Sequence, residues 1–79
     1  MRKSVHSEDL KAFCRVMAEA RDKADLTQQE LADELSKPQS FVAKYEGGER
    51  RIDVIEFITI ARAMGADPIR LLKALIRRI

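Results

Sequence analysis

Apolar residues recur at three- and four-residue spacing along most of the chain, and no sustained alternation interrupts them. That periodicity predicts helices and no strands. Leu10, Phe13, Cys14, Met17, Ala20 and Ala24 make one apolar face, which places a first helix at about 8–23. Ser7 stands where a cap would, and Glu8 and Asp9 suit the positive end of the helix dipole. Asp25 falls where the chain must turn, in a conformation that Asp tolerates better than most residues.

The stretch "TQQE" at 27–30 is a capping box: Thr27 accepts from the backbone N–H of Glu30, whose side chain returns to Thr27. The second helix sends Leu31, Ala32 and Leu35 inward. It stops by Ser36, because Pro38 turns Lys37 away from helical geometry. A third helix starts at Pro38 or Gln39 and ends at Gly47, the expected left-handed closing residue. "DVIE" at 53–56 is a second capping box. It opens a helix through Met64, with Val54, Phe57, Ile58, Ala61 and Met64 expected inside and Gly65 closing it. Asp67-Pro68 joins a cap to a first-turn proline and launches a fifth helix over about 68–78. The prediction is one all-α domain, 1–79, with a helix-turn-helix core at 27–47.

A third helix of nine residues at most is a poor source of stability in isolation. On a 100° wheel, Phe41, Val42 and Tyr45 gather on one side, facing Leu31, Ala32 and Leu35. Gln39, Ser40, Ala43, Lys44 and Gly47 gather on the other. This outer side is narrow and polar enough for a major groove about 12 Å wide. There Gln pairs with adenine N6/N7, Lys donates to guanine O6/N7, and Ser serves several bases.

Charge sharpens the picture more by its placement than by its total, a net +2 over 79 residues. Residues 22–34 hold five acids (Asp22, Asp25, Glu30, Asp33, Glu34) against Lys23, whereas 68–79 hold Arg70, Lys73, Arg77 and Arg78 and no acid. Lys37, Lys44, Arg50 and Arg51 lie between them, with Glu46 and Glu49. A mixed-charge surface by itself signals only solubility. The single cysteine and single histidine exclude an internal disulfide and a metal site of usual spacing, so no cofactor is expected. Cys14 is expected in the core, His6 in solvent ahead of the first helix, and the Tyr45 ring inside with its hydroxyl near an edge. There is no signal-like start and no bilayer-length apolar run; a cytoplasmic, membrane-free protein is expected. No constellation of nucleophile, base or paired carboxylates suggests an enzyme.

The stretch "LTQQELADELSKPQSFVAKYEGGERRIDVIEFITIARAMG", residues 26–65, resembles the Cro and lambda-repressor type helix-turn-helix proteins, the XRE family. With flanking helices the resemblance covers about 10–75, and "LTQQELA", "YEGGER" and "ARAMGADPIRLL" occur in the family's order. It implies a five-helix lambda-repressor-like DNA-binding domain. Gln28 matches the family's glutamine that bonds a phosphate and braces the recognition helix. Gln39, Ser40 and Lys44 match its base-contacting positions, with Lys37 and Ala43 beside them. Gly47, Arg50 and Arg51 fall in the loop that meets the sugar-phosphate backbone. Arg21 and Glu46 match a buried ion pair between the first helix and the end of the third.

Two departures matter. Phe41 is larger than the family's usual Ser or Thr, and is expected partly buried at the border between core and groove, where it either packs inward or touches a thymine methyl. Pro38 replaces a common Ser or Thr cap.

Along the fifth helix Ile69, Leu72, Ile76 and Ile79 make an apolar stripe beside the core-facing Leu71 and Leu75. Ile52 and Ile55 add bulk near the fourth helix. An apolar surface of this kind marks association. A two-fold homodimer would set two third helices about 34 Å apart, one turn of DNA, on a palindromic site. The expected function is a sequence-specific transcriptional regulator of double-stranded DNA, a repressor with no evident small-molecule effector. The rivals are an antitoxin that also binds a toxin, and an interaction module that no longer binds DNA.

Overall fold

The computed structural model describes residues 3–79, with side chains from Glu8 onward. Five helices follow one another: α1 (Lys3–Lys23), α2 (Gln28–Glu34), α3 (Gln39–Glu46), α4 (Val54–Ala63) and α5 (Pro68–Arg78). No strand occurs among the described residues. α1 is covered on two sides, by α3 and by α5; α2 packs on α3, and α4 on α5. None of the described helices is long and apolar enough to cross a membrane.

Capping chemistry sets the starts. Both capping boxes form: Glu30 N–H donates to Thr27 Oγ1 at 3.0 Å and Thr27 N–H to Glu30 Oε1 at 2.9 Å. Asp53 and Glu56 repeat the exchange at 2.7 and 3.0 Å. Asp67 accepts from Ile69 N–H at the head of α5, whose first residue is Pro68. α1 departs from the expectation by beginning at Lys3, so Ser7 lies inside the helix and is not its cap. No Gly or Pro occurs over residues 3–9, so nothing in the chain forces a stop there. His6, expected ahead of the helix, lies within it, and its side chain is outside the described residues.

The four inner helix ends share one closing device. The residue after each C-cap takes a left-handed φ: Asp25 (61°), Ser36 (55°), Gly48 (81°) and Gly65 (69°). The N–H one residue further on reaches back to the carbonyl five residues earlier, as in Lys37 to Ala32 at 2.9 Å and Glu49 to Lys44 at 2.8 Å. This is the Schellman arrangement, which satisfies carbonyls left over at a helix end. It corrects the expectation for Gly47. With α3 ending at Glu46, Gly47 is the C-cap in right-handed geometry (φ −86°), and Gly48 is the left-handed residue.

Met17, Leu31, Ala32, Val42, Tyr45, Ile60 and Ala61 are almost completely buried. The sequence pattern misplaced part of α4. Ile60 is in the core, Ile58 is only half-buried, and Val54, expected inside, is 71% exposed. The inward arc is Phe57, Ile60, Ala61 and Met64, and the first turn of α4 projects beyond it. Ala12 and Val16 of α1 are buried as well, a consequence of that helix being covered on two sides.

Tyr45 differs from expectation in its polar end. Its ring meets Phe41 edge-on at 5.5 Å, but its hydroxyl is buried with no hydrogen-bond partner rather than lying at an edge. Burial raises the pKa of this phenol above its ordinary value, with Glu46 adding to the rise. A buried unpaired hydroxyl costs about 1–3 kcal/mol. Tyr45→Phe should therefore raise the unfolding free energy by about 1 kcal/mol in a denaturant melt. The folded state holds the proton while the unfolded chain releases it above its pKa of about 10. Wild-type stability should thus be intact below about pH 10 and fall by about 1.4 kcal/mol per pH unit above it. Tyr45 is the only tyrosine and there is no tryptophan, so tyrosinate absorbance follows this one group. Ionisation well before unfolding, or an unchanged slope in the Phe variant, would contradict the assignment.

Candidate nucleic-acid interface

α3 offers one face to the core and one to solvent. Phe41, Val42 and Tyr45 are buried, whereas Gln39, Ser40, Lys44 and Gly47 are exposed and Ala43 is half-buried. Nothing in the described chain lies over the polar side. Pro38, the N-cap, makes no side-chain cap bond, which leaves the first amides of α3 unblocked by any side chain.

The orientation of this helix is tied to the rest of the molecule by a chain of side chains. Arg21 of α1 grips Glu46 of α3 with two bonds, Nε to Oε2 at 2.8 Å and Nη2 to Oε1 at 3.1 Å. Its Nη1 also donates to the Leu26 carbonyl in the turn before α2, at 2.8 Å. The two side chains are only 15% and 7% exposed. The hydrogen bond to Glu46 holds the guanidinium pKa above its usual value against the opposing effect of burial. Glu46 Oε1 accepts in addition from Gln28 Nε2 at 2.9 Å, and Gln28 Oε1 accepts from Gln39 Nε2 at 2.7 Å. Gln28 and Gln39 are the first residues of α2 and α3, so the relay links both members of the helix-turn-helix to α1. The resemblance pairs Arg21 with Glu46 and gives Gln28 a bracing role. The continuation to Gln39 needs geometry that sequence spacing does not carry.

Phe41 packs inward at 9% exposure, the first of the two placements expected for it. A large aromatic gains more from the core contacts of α3 than from a wet groove margin. Its ring instead seats two cations: Arg50 Cζ lies 4.8 Å and Lys37 Nζ 5.5 Å from the centroid. Both distances are within cation–π range. Lys37 precedes α3 and Arg50 follows it, so one ring gathers positive charge from both ends of the helix.

Arg50 is engaged further. It holds Glu56 with bonds of 2.9 and 3.1 Å and donates to the Arg51 carbonyl. That contact lowers the Glu56 pKa and raises that of Arg50. Arg51 is exposed and makes no ion pair among the described residues. The two arginines, alike in sequence, thus differ in structure: one is braced and the other is open. Nothing in the chain pattern pointed to Glu56 as the brace.

A second surface lies on α4 and α5. Ile69, Ile76 and Ile79 are more than half exposed, Leu72 is 41% exposed, and Ile55 is 71% exposed. Val54 is as exposed as Ile55, whereas Ile52 packs partly against the core and is corrected out of the exposed set. No group of His, Cys, Asp and Glu among the described residues could hold a metal. Cys14 is buried, its thiol donating to the Tyr45 carbonyl at 3.2 Å, and burial raises its pKa.

A short helix with a polar outward face, braced from behind by its partner helix and carried on a five-helix body, defines a helix-turn-helix DNA-binding domain. Comparison with known proteins agrees. The helix-turn-helix family model matches residues 17–71. The fold is similar to that of an XRE-family like protein from Pseudomonas syringae pv. tomato str. DC3000, with a TM-score of 0.87 and 47% sequence identity over 95% of this chain and 92% of that one. No curated protein sequence matches the chain significantly. The chain belongs to the XRE-type helix-turn-helix family, whose members are DNA-binding regulators and not enzymes.

Proposed function

We propose that this DNA-binding regulator is a sequence-specific transcriptional repressor that works in the cytoplasm as a homodimer on a palindromic operator. The observation that carries the reading is the uncovered row of Gln39, Ser40 and Lys44, held outward by the Arg21–Glu46–Gln28 relay. In this reading those three side chains meet base edges, with Ala43 and Gly47 allowing close approach. Gln28, Lys37, Arg50, Arg51 and the first amides of α3 meet phosphates and fix the register. The exposed aliphatic residues of α4 and α5 supply the self-complementary surface that a two-fold pair needs.

Selection of binding sites from random duplexes should return two half-sites whose centres are about one helical turn apart. The selected duplex should lose affinity steeply as salt rises, because phosphate contacts release counterions. Replacing Gln39, Ser40 and Lys44 together by Ala should abolish preference for that duplex while leaving salt-dependent binding to any duplex. An unchanged preference in the triple variant would defeat the reading.

A further inference from the structure

Arg50 uses only part of its hydrogen-bonding capacity. Nη1 donates both hydrogens, to the Arg51 carbonyl and to Glu56 Oε1, and Nη2 donates one, to Glu56 Oε2. A guanidinium carries five N–H donors, so Nε–H and the second N–H of Nη2 have no partner among the described residues. These two point from the same edge of the planar group, the edge away from the Arg51 carbonyl. Side-by-side donors of this kind fit two oxygens of a phosphate.

The clasp with Glu56 does not by itself hold that edge in place. Its two side chains are 41% and 27% exposed, and ion pairs so open to water contribute little. Its net charge is also zero. Phe41 supplies what the clasp lacks. The ring is anchored in the core, edge-on to Tyr45 at 5.5 Å, and carries Arg50 Cζ at 4.8 Å and Lys37 Nζ at 5.5 Å from its centroid. Lys37 makes no ion pair among the described residues, so it brings to the ring the positive charge that Glu56 cancels in Arg50. One rigid ring thus fixes a planar fork and a point charge drawn from opposite ends of α3. A Ser or Thr in its place would hold neither.

We propose that Phe41 is a positioning residue for the DNA backbone, its ring holding the free edge of Arg50 and the Lys37 ammonium in place to receive phosphate. The proposal rests on the reading of Lys37 and Arg50 as phosphate contacts. It adds that their placement depends on a residue of the core.

The test measures binding of the full chain to its selected duplex and to a scrambled one. Replacing Phe41 by pentafluorophenylalanine keeps a ring of nearly the same shape but strips negative charge from its face, the source of the cation attraction. Affinity for both duplexes should fall by the same factor, roughly fivefold, because phosphates carry no sequence information. Arg50→Lys keeps the charge and loses the fork. It should weaken the wild type by about tenfold, the worth of a charge-assisted hydrogen bond, and the fluorinated protein by less than about threefold. Arg51→Ala removes the open arginine and should cost the same in both. Phe41→Leu, which removes the ring altogether, should repeat the fluorinated pattern. A ring that only fills the core would leave fluorination without effect and the Arg50→Lys loss equal in both proteins. Either result overturns the proposal while the regulator reading stands. A wild type with no salt-dependent affinity for any duplex overturns both.

Discussion

Glu46→Ala should lower the unfolding free energy by about 3 kcal/mol, the lower end of what is lost when one partner of a buried ion pair is removed. The loss comes less from the attraction forfeited than from what stays behind. Arg21 is 15% exposed, and without Glu46 its side chain keeps only the Leu26 carbonyl and a longer contact to Asp22 at 3.5 Å. The lower end applies because that remaining exposure lets water reach part of the guanidinium. For a domain of this size such a change moves the melting temperature by roughly 12–24 °C. The double variant Arg21→Met/Glu46→Met should recover most of the loss, because a packed apolar pair avoids the stranded charge. Thermal melts of the three proteins check both statements. A Glu46→Ala domain within 1 °C of wild type would show that the pair is idle.

If the homodimer proposed above forms, Leu72→Asp/Ile76→Asp should convert it from twice the chain mass to the single chain and weaken binding to the selected duplex by about a hundredfold or more. Both residues are exposed in the single chain, so the fold has little reason to suffer. The apolar surface they supply is what a partner copy would cover, and two carboxylates facing two more across a two-fold axis cannot be desolvated. Affinity falls because the second recognition helix no longer arrives as part of the same molecule; linking two such sites is worth about 10²–10⁴ in avidity. Light scattering and binding to the selected duplex give the two readouts. A variant with wild-type mass would remove these residues from the interface.

How much of this was legible in the chain follows from the range of each interaction. Caps are local. Thr27, Asp53 and Asp67 announce themselves by what stands one to three residues later, and all three form as the sequence indicates. Helix ends closed by Gly65 and Asp25 were equally plain. Ser36 was not, because a left-handed serine is uncommon and only the backbone trace reveals it. Helix faces were read well where one neighbour covers them and poorly elsewhere. Ala12 and Val16 were missed because α1 has two neighbours, and Val54 was misplaced because its side of the first turn of α4 is left exposed. Among the site residues, position along α3 was enough to separate outward from inward. The links from Glu46 to Gln28 and from Gln28 to Gln39 join residues 18 and 11 apart, and the Arg50–Glu56 clasp lies across a turn. Such partners are set by how the helices pack, which no periodicity encodes.

The guanidinium of Arg21 touches the turn ahead of α2 and the far end of α3 at once. One rigid planar group thereby ties the angle of α3 to the body of the domain. Association then needs little reordering of the protein, and the α3 backbone should keep one conformation in the unliganded molecule and in the complex. Under the operator reading proposed above, adaptation to a mismatched site should come from bending of the double helix and not from yielding of the domain.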